Sequence, residues 1–203
     1  MLYFKKIPQF ITRTMTSVIW NLPRENNDIA LTFDDGPHPE ITLWVCDILE
    51  KYNIKATFFC LGENVEKYKK VYNYLISSGH QVGIHGYTHI DGWDANLRDY
   101  VADVDYAAKF INSRLFRPPY GRITHDKINA LKSKYKIVLY DVLTGDFDEE
   151  LTKEKCLLHA IQNTQEGSII TFHDNEKAYK TLQYALPAFI EHCQLCGFNF
   201  VTL

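Results

Sequence analysis

Short β-prone runs alternate with helical periodicities along the whole chain, and this alternation restricts the fold more than any other feature of the sequence. IALTF, ATFFC, QVGI, LFRP, IVLYDV, SIITF and FNFVTL read as strands. Several are apolar throughout, as strands covered on both faces are. Between them the spacing predicts helices over 41–52, 65–77, 97–113, 126–133, 153–163 and 178–196. Thr152 suits an N-cap, Gly79 and Gly197 suit helix stops, and Pro187 is expected to kink or restart the last helix. Strict alternation within one domain, residues 1–203, requires parallel strands joined by crossover helices, so the class is α/β. A doubly wound sheet and a (β/α) barrel both satisfy it. No G-x-G-x-x-G or G-x-x-x-x-G-K-[ST] follows the first strand, which removes the main nucleotide-binding open sheets. At 203 residues the chain is short for an eightfold barrel, which usually takes about 250, so a barrel would be irregular or incomplete.

Charge narrows the partners. With 22 Lys and Arg against 25 Asp and Glu, the formal charge is -3 and no basic stripe offers an electrostatic nucleic-acid surface. Lys67, Lys69 and Lys70, like Lys132, Lys134 and Lys136, read as solvated faces. In the first twenty residues Pro8, Gln9, Thr12, Arg13 and Thr14 interrupt any export-signal core. No run reaches the roughly 18 apolar residues of a membrane span. The expectation is a soluble, unexported, cytoplasmic chain. Cys46, Cys60 and Cys156 lie in apolar stretches and suit reduced, packed thiols. Cys193 and Cys196 form a C-x-x-C without a second pair, read as structural rather than redox or zinc-binding.

Polar residues gather just past the carboxyl ends of the strands: Asp34 and Asp35, His85 and His89, Arg117, Asp141 and Asp146, and His173. In a parallel β/α fold these ends share one face, where sites are built. His85 and His89, at i and i+4, suit two metal ligands, with Asp35 as the third and open positions left for water and substrate. Taken alone, the same spacing fits ordinary loop histidines. Asp34 and Asp35 fit a helix-capping turn equally well, but two adjacent carboxylates after a buried strand repel unless a cation intervenes. A metal on Asp35 and the Arg117 guanidinium on Asp34 would meet that need and leave Asp34 free as a base. His173, paired with Asp146, suits a proton donor, although a single strand-end histidine also fits a packing role.

LTFDDGP, HGYTH, RPPYGR, DVLTGDF and IITFHD occur in this order between residues 30 and 174. They resemble the five motifs of the polysaccharide deacetylases, the NodB-homology family or family 4 carbohydrate esterases. The resemblance implies an irregular (β/α) barrel binding one divalent transition metal, Zn2+ foremost, with Co2+ or Ni2+ also able to serve. It implies hydrolysis of the amide bond of N-acetylated sugars in a polysaccharide or oligosaccharide, of chitin-oligomer or peptidoglycan type, with an O-acetyl esterase of the acetylxylan type or an inactive glycan-binding relative as alternatives. By position, Asp34 resembles the base, Asp35, His85 and His89 the metal ligands, and His173 the acid with Asp146 its partner. Arg117 would hold the base, the Tyr120 backbone N-H would bind the oxyanion, and Pro119, Phe147 and Thr171 would border the acetyl group. Three positions depart from the family pattern. Gly86 replaces a Ser or Thr, Phe147 a Trp, and Thr171 a Leu, which implies a more polar acetyl pocket.

Overall fold

The computed structural model describes residues 15–203; residues 1–14, most of the stretch read for an export signal, lie outside the described residues. Among the described residues, nine strands form one sheet: β1 (Val18–Ile19), β2 (Asp28–Asp34), β3 (Thr57–Cys60), β4 (Gln81–Ile84), β5 (Leu115–Phe116), β6 (Lys136–Val138), β7 (Val142–Leu143), β8 (Ile169–His173) and β9 (Asn199–Val201). Their order is β1-β6-β5-β4-β3-β2-β8-β7, with β9 beside the first half of β2, and every pairing is parallel. The helices are α1 (Ile41–Lys51), α2 (Gly62–Lys67), α3 (Lys69–Ser77), α4 (Leu97–Ala107), α5 (His125–Leu131), α6 (Lys153–Asn163) and α7 (Glu176–Leu195).

Chain connectivity shows how far the sheet curls. β6 lies near one end of the strand order and β7 at the other, yet only residues 139–141 separate them. Four Cα steps reach at most about 14 Å, so the two ends of the sheet face one another. No ladder joins β1 to β7 among the described residues, and the result is an incomplete (β/α) barrel.

Alternation along each strand separates two cores. Leu31, Phe33, Phe58, Phe116, Ile170 and Phe172 face the helices, where Phe33 stacks on Phe58 at 4.9 Å and Phe172 meets Phe189 of α7 at 5.7 Å. Ala30, Phe59, Leu115, Val138, Tyr140, Leu143 and Ile169 fill the concave side in a smaller cluster. By the same period of two, Thr32 and Asp34 follow Ala30, Arg117 follows Leu115, and Thr171 and His173 follow Ile169. The polar line therefore runs up the inside of the half-barrel toward its carboxyl rim. A small apolar plug lies beneath it.

Several expectations change in detail. IVLYDV is two strands, because the chain leaves the β6 edge at Leu139 and crosses the seam to β8. Asp141 lies in that crossing and accepts bonds from Ser168 Oγ at 2.9 Å and the Ile169 backbone at 2.8 Å. It therefore sits at the amino end of β8, away from the other polar residues. The helix expected over 65–77 breaks at Tyr68 (φ −118°, ψ 44°), and the one expected to reach 113 ends at Ala107. Pro187 neither ends nor restarts α7. The carbonyl it leaves without a helical donor belongs to exposed Gln183, and buried Leu182, Ala185, Leu186, Phe189 and Ile190 hold the helix on both sides. Thr152 caps α6 by accepting from the Lys155 N-H, and Gly79 and Gly197 follow helices with φ of 79° and 77°. No disulfide joins the five cysteines, and burial pushes the Cys193 thiol up to about 12, which suits packing rather than reactivity. No helix among the described residues is long and apolar enough to cross a membrane.

Gly83 lies on β4 between Phe59 of β3 and Leu115 of β5. A Cβ there would meet the Phe59 ring at 2.6 Å and Leu115 Cβ at 3.3 Å. Gly83→Val should therefore lower unfolding stability by about 1–3 kcal/mol through overpacking, read as a lower urea midpoint at an unchanged slope.

Candidate metal and catalytic site

Asp34 ends β2, and the chain turns sharply at Asp35, whose φ is 80°. Asp34 Oδ1 accepts a bond from Arg117 Nη1 at 2.7 Å. The same nitrogen lies 2.8 Å from Thr32 Oγ1 and 3.0 Å from Thr171 Oγ1, and Nη2 donates to the Leu139 carbonyl at 3.2 Å. The guanidinium stacks 4.0 Å over the Phe59 ring and is fully buried. Burial lowers its pKa, and the adjacent Asp34 charge opposes that shift. Arg117 thus pairs with Asp34, while Asp35 faces imidazoles instead of a Lys or Arg among the described residues. Neither carboxylate caps α1, whose N-cap Glu40 makes no side-chain cap bond.

Asp35 faces the two histidines. Its Oδ1 lies 3.5 Å from His85 Nε2 and 3.2 Å from His89 Nε2, and the potential ligand atoms of the three residues all lie within 4.8 Å of one another. His85 Nδ1 sits 2.8 Å from the Arg117 carbonyl, which makes that nitrogen the donor and leaves the Nε2 lone pair pointing at the cluster. Burial pushes the His85 pKa down to about 4, against the pull of Asp34, so the ring is neutral at physiological pH. Burial alone would raise the Asp35 pKa, but the imidazoles of His89, His173 and His85 around it hold it well below the carboxylate range. Asp35 Oδ1 is buried without a hydrogen-bond partner, a costly state for a carboxylate oxygen unless a cation occupies the space before it. An anionic oxygen and two imidazole nitrogens, one of them fixed in tautomer, fit a divalent transition metal.

His173, the last residue of β8, approaches from the other side. Its Nδ1 lies 2.8 Å from Asp146 Oδ1, and Asp146 Oδ2 accepts the His173 backbone N-H at 2.7 Å. Burial works to lower the His173 pKa, but Asp146, then Asp35 and Asp34, outweigh it and raise the value to about 9. The paired Asp146 carboxylate therefore favours the charged form of the ring. Phe147 packs edge-on against it at 4.9 Å. Across the cluster the Tyr120 ring meets His89 at 4.4 Å, and Pro119 beside it is buried. Thr171 is fully buried with its hydroxyl on Arg117, so this departure from the family pattern adds a partner for the cation.

Six described non-glycine residues have positive φ: three asparagines, which tolerate it, and Asp35, His89 and Tyr120. The other three all lie in this site. Such concentration of backbone strain is the mark of a functional region.

Three supporting residues escaped the sequence reading. Asn175 Nδ2 donates to Asp35 Oδ2 at 2.7 Å while its Oδ1 caps α7, fixing which carboxylate oxygen faces the histidines. Its only signal was a cap residue two positions after a strand-end histidine. Asp103 of α4 accepts bonds from Tyr87 N at 2.7 Å, Thr88 N at 3.1 Å and Thr88 Oγ1 at 2.8 Å, and so holds the loop that carries both histidines. Buried Asp174 takes the Gly36 N-H at 3.0 Å and the Thr42 hydroxyl, pinning the turn after Asp35.

The chain is thus a curled, incomplete (β/α) barrel with acids and imidazoles gathered on its carboxyl rim. A sequence profile of the family described as polysaccharide deacetylase matches residues 21–136, and the chain belongs to that family. It is 31% identical over 189 residues to a peptidoglycan-N-acetylglucosamine deacetylase of Bacillus cereus, covering 89% of this chain and 68% of that protein. It is 29% identical over 161 residues to a chitooligosaccharide deacetylase of Azorhizobium caulinodans, covering 75% and 76%. In three dimensions it is similar to a peptidoglycan N-acetylglucosamine deacetylase crystallised with 4-naphthalen-1-yl-N-oxidanyl-benzamide, at a TM-score of 0.89 and 29% identity over 97% of this chain and 95% of the other.

Two measurements follow from this geometry. Removing the cation with Arg117→Ala strands a buried carboxylate and should cost about 3–5 kcal/mol in chemical denaturation. In metal-stripped protein, the NMR titration of His173 should centre near pH 9, and Asp146→Asn should lower that midpoint by roughly 1–3 units, because burial then acts with less opposition. The folded value is raised above the ordinary 6.5, so the stability that His173 contributes is complete below that pH and lost as pH rises through about 9. A midpoint unmoved in Asp146→Asn would show that the carboxylate does not set the charge of the ring.

Proposed function

We propose that the chain is a divalent-metal-dependent N-deacetylase acting on N-acetylated amino-sugar units of an oligosaccharide or polysaccharide. The observation that carries this reading is the buried, unpartnered Asp35 Oδ1 facing two imidazoles, beside a second carboxylate clamped by Arg117. Asp35, His85 and His89 would hold the ion, with Zn2+ first and Co2+ or Ni2+ as substitutes. When bound, that ion supplies a Lewis acid for the acetyl carbonyl and acidity for a water in the site.

The side chains do the rest. Asp34, aimed by Arg117, takes a proton from the attacking water. The Tyr120 backbone N-H donates to the carbonyl oxygen as negative charge builds on it. Pro119 and Phe147 border the acetyl methyl and exclude water. His173, held protonated by Asp146, delivers its proton to the leaving nitrogen as the C-N bond breaks. The charged His173 favours an amide substrate over an ester, because an amine cannot leave as its anion whereas a sugar alkoxide is a far better leaving group. Two relatives are named for N-acetylglucosamine units, and the N-oxidanyl-benzamide bound to one of them is a hydroxamic acid, a metal-chelating group.

The test is acetate release from N-acetylglucosamine oligomers, with acetylated xylan alongside. Chelation should abolish release and Zn2+ or Co2+ restore it; His85→Ala should lose metal retention, and Asp34→Asn should lower kcat by about 10²–10⁴-fold with metal still bound. Faster release from acetylated xylan than from the oligomers would move the assignment to an O-acetyl esterase. Folded, metal-loaded protein that releases acetate from neither would make it a glycan-binding relative.

A further inference from the structure

Beyond the acetyl site, the loop between β4 and α4 carries a tryptophan that the core does not use. Trp20 and Trp44 pack inward, but Trp93 is 63% exposed. It is exposed yet held. Its backbone N-H donates to Asp91 Oδ1 at 2.8 Å, and Asp91 Oδ2 accepts from Arg122 Nη1 at 2.5 Å. The Arg122 guanidinium stacks 4.7 Å over the Trp93 ring. Gly92 lies so close to the Arg122 backbone that a Cβ would come within 2.1 Å of its carbonyl oxygen, which locks the loop against the segment after β5. These contacts continue into the site: Arg122 also lies 5.8 Å over the Tyr120 ring, which is 48% exposed, and Tyr120 meets His89 at 4.4 Å. Trp93, Arg122 and Tyr120 thus form a fixed ridge leading away from the metal-ligand cluster.

We propose that this ridge is a binding subsite for a second pyranose of the glycan, stacked on Trp93, next to the unit whose acetyl group is removed. This rests on the deacetylase reading. A pyranose has an apolar C-H face and a rim of hydroxyls. The ridge matches it with an indole surface edged by the Asp91 carboxylate and the Arg122 guanidinium. The ring is already fixed by its hydrogen-bonded loop, so little ordering entropy is lost when a sugar arrives. The subsite makes the enzyme one for oligomers rather than single sugars.

The experiment compares wild type, Trp93→Ala and Trp93→Phe in two readouts. In the first, KM for an N-acetylglucosamine pentamer should rise about three- to tenfold in Trp93→Ala with kcat within about twofold, the pattern of lost uniform binding. The pentamer-to-4-nitrophenyl acetate ratio of kcat/KM should fall accordingly, and Trp93→Phe should recover most of the loss. In the second, pentamer added to metal-stripped protein should change tryptophan emission in wild type, with binding weakened in Trp93→Ala when followed by calorimetry. Equal pentamer KM and equal pentamer binding in Trp93→Ala would overturn the subsite, as would self-association of the wild type that Trp93→Ala abolishes without any effect on glycan. The two readings fail separately. Acetate release indifferent to Trp93 removes the subsite and leaves the deacetylase, whereas Trp93-dependent pentamer binding without acetate release does the reverse.

Discussion

The contact between Arg117 and Asp34 is the constraint around which the half-barrel is arranged. A fully buried guanidinium needs a counter-charge, acceptors for its N-H groups and a surface to stack on, and these come from three strands and the seam crossing. Asp34 and Thr32 come from β2, Thr171 from β8, the Leu139 carbonyl from the seam crossing and the Phe59 ring from β3. Only a sheet curled enough to bring β8, β2, β3 and the seam around one point supplies all five. Gly83 in turn leaves room for the Phe59 ring. Buried ion pairs are weak sources of stability, since an apolar replacement often does as well. The pair is therefore better explained by what it does for Asp34, whose carboxylate it points toward His85, 4.0 Å away.

Arg117 also links the two halves of the site. Its side chain orients Asp34, and its backbone carbonyl fixes the His85 tautomer. One residue at the end of β5 thus sets the spacing between the carboxylate proposed to take a proton and a nitrogen proposed to hold a metal. Asn175 plays a matching part from the opposite side: it caps α7 and orients Asp35, while the preceding β8 ends in His173. Asp34 and His173 end strands, and the turn and loop carrying Asp35, His85 and His89 are tied to α7 and α4 through Asn175 and Asp103.

The sequence made the frame of this arrangement readable because frame and motifs both follow period. Alternating runs gave the parallel α/β class, and counting by twos from Ala30 or Ile169 leads to Asp34 and His173 on the concave side. The neighbouring features depend on contacts made across long separations and leave little local trace. β1 is two residues long and shows no periodicity, so only its pairing with β6 marks it as a strand. Asp141 looked like a rim residue because IVLYDV reads as one strand; the seam crossing, a tertiary event, moves it to the other end of β8. Asp103 sits in a helix whose composition marks it merely as an exposed acid, yet the loop that carries both histidines hangs on its carboxylate.

Asp103 also explains the residue at which the ligand loop departs from its family. Gly86 has φ of 80°, and a Cβ there would come within 2.8 Å of Asp103 Oδ2. A serine or threonine would meet both strain and collision. With glycine, the carboxylate approaches close enough to take two consecutive backbone N-H groups and the Thr88 hydroxyl together. The stabilising bond that a hydroxyl at position 86 would provide within the loop is thus replaced by a charged acceptor from α4. Charged acceptors make stronger hydrogen bonds than neutral ones, and α4 is anchored to the core by Tyr100 and Val104. The substitution transfers control of the histidine loop from its own side chain to a neighbouring helix, and the positions of His85 and His89 then depend on how firmly that helix is packed.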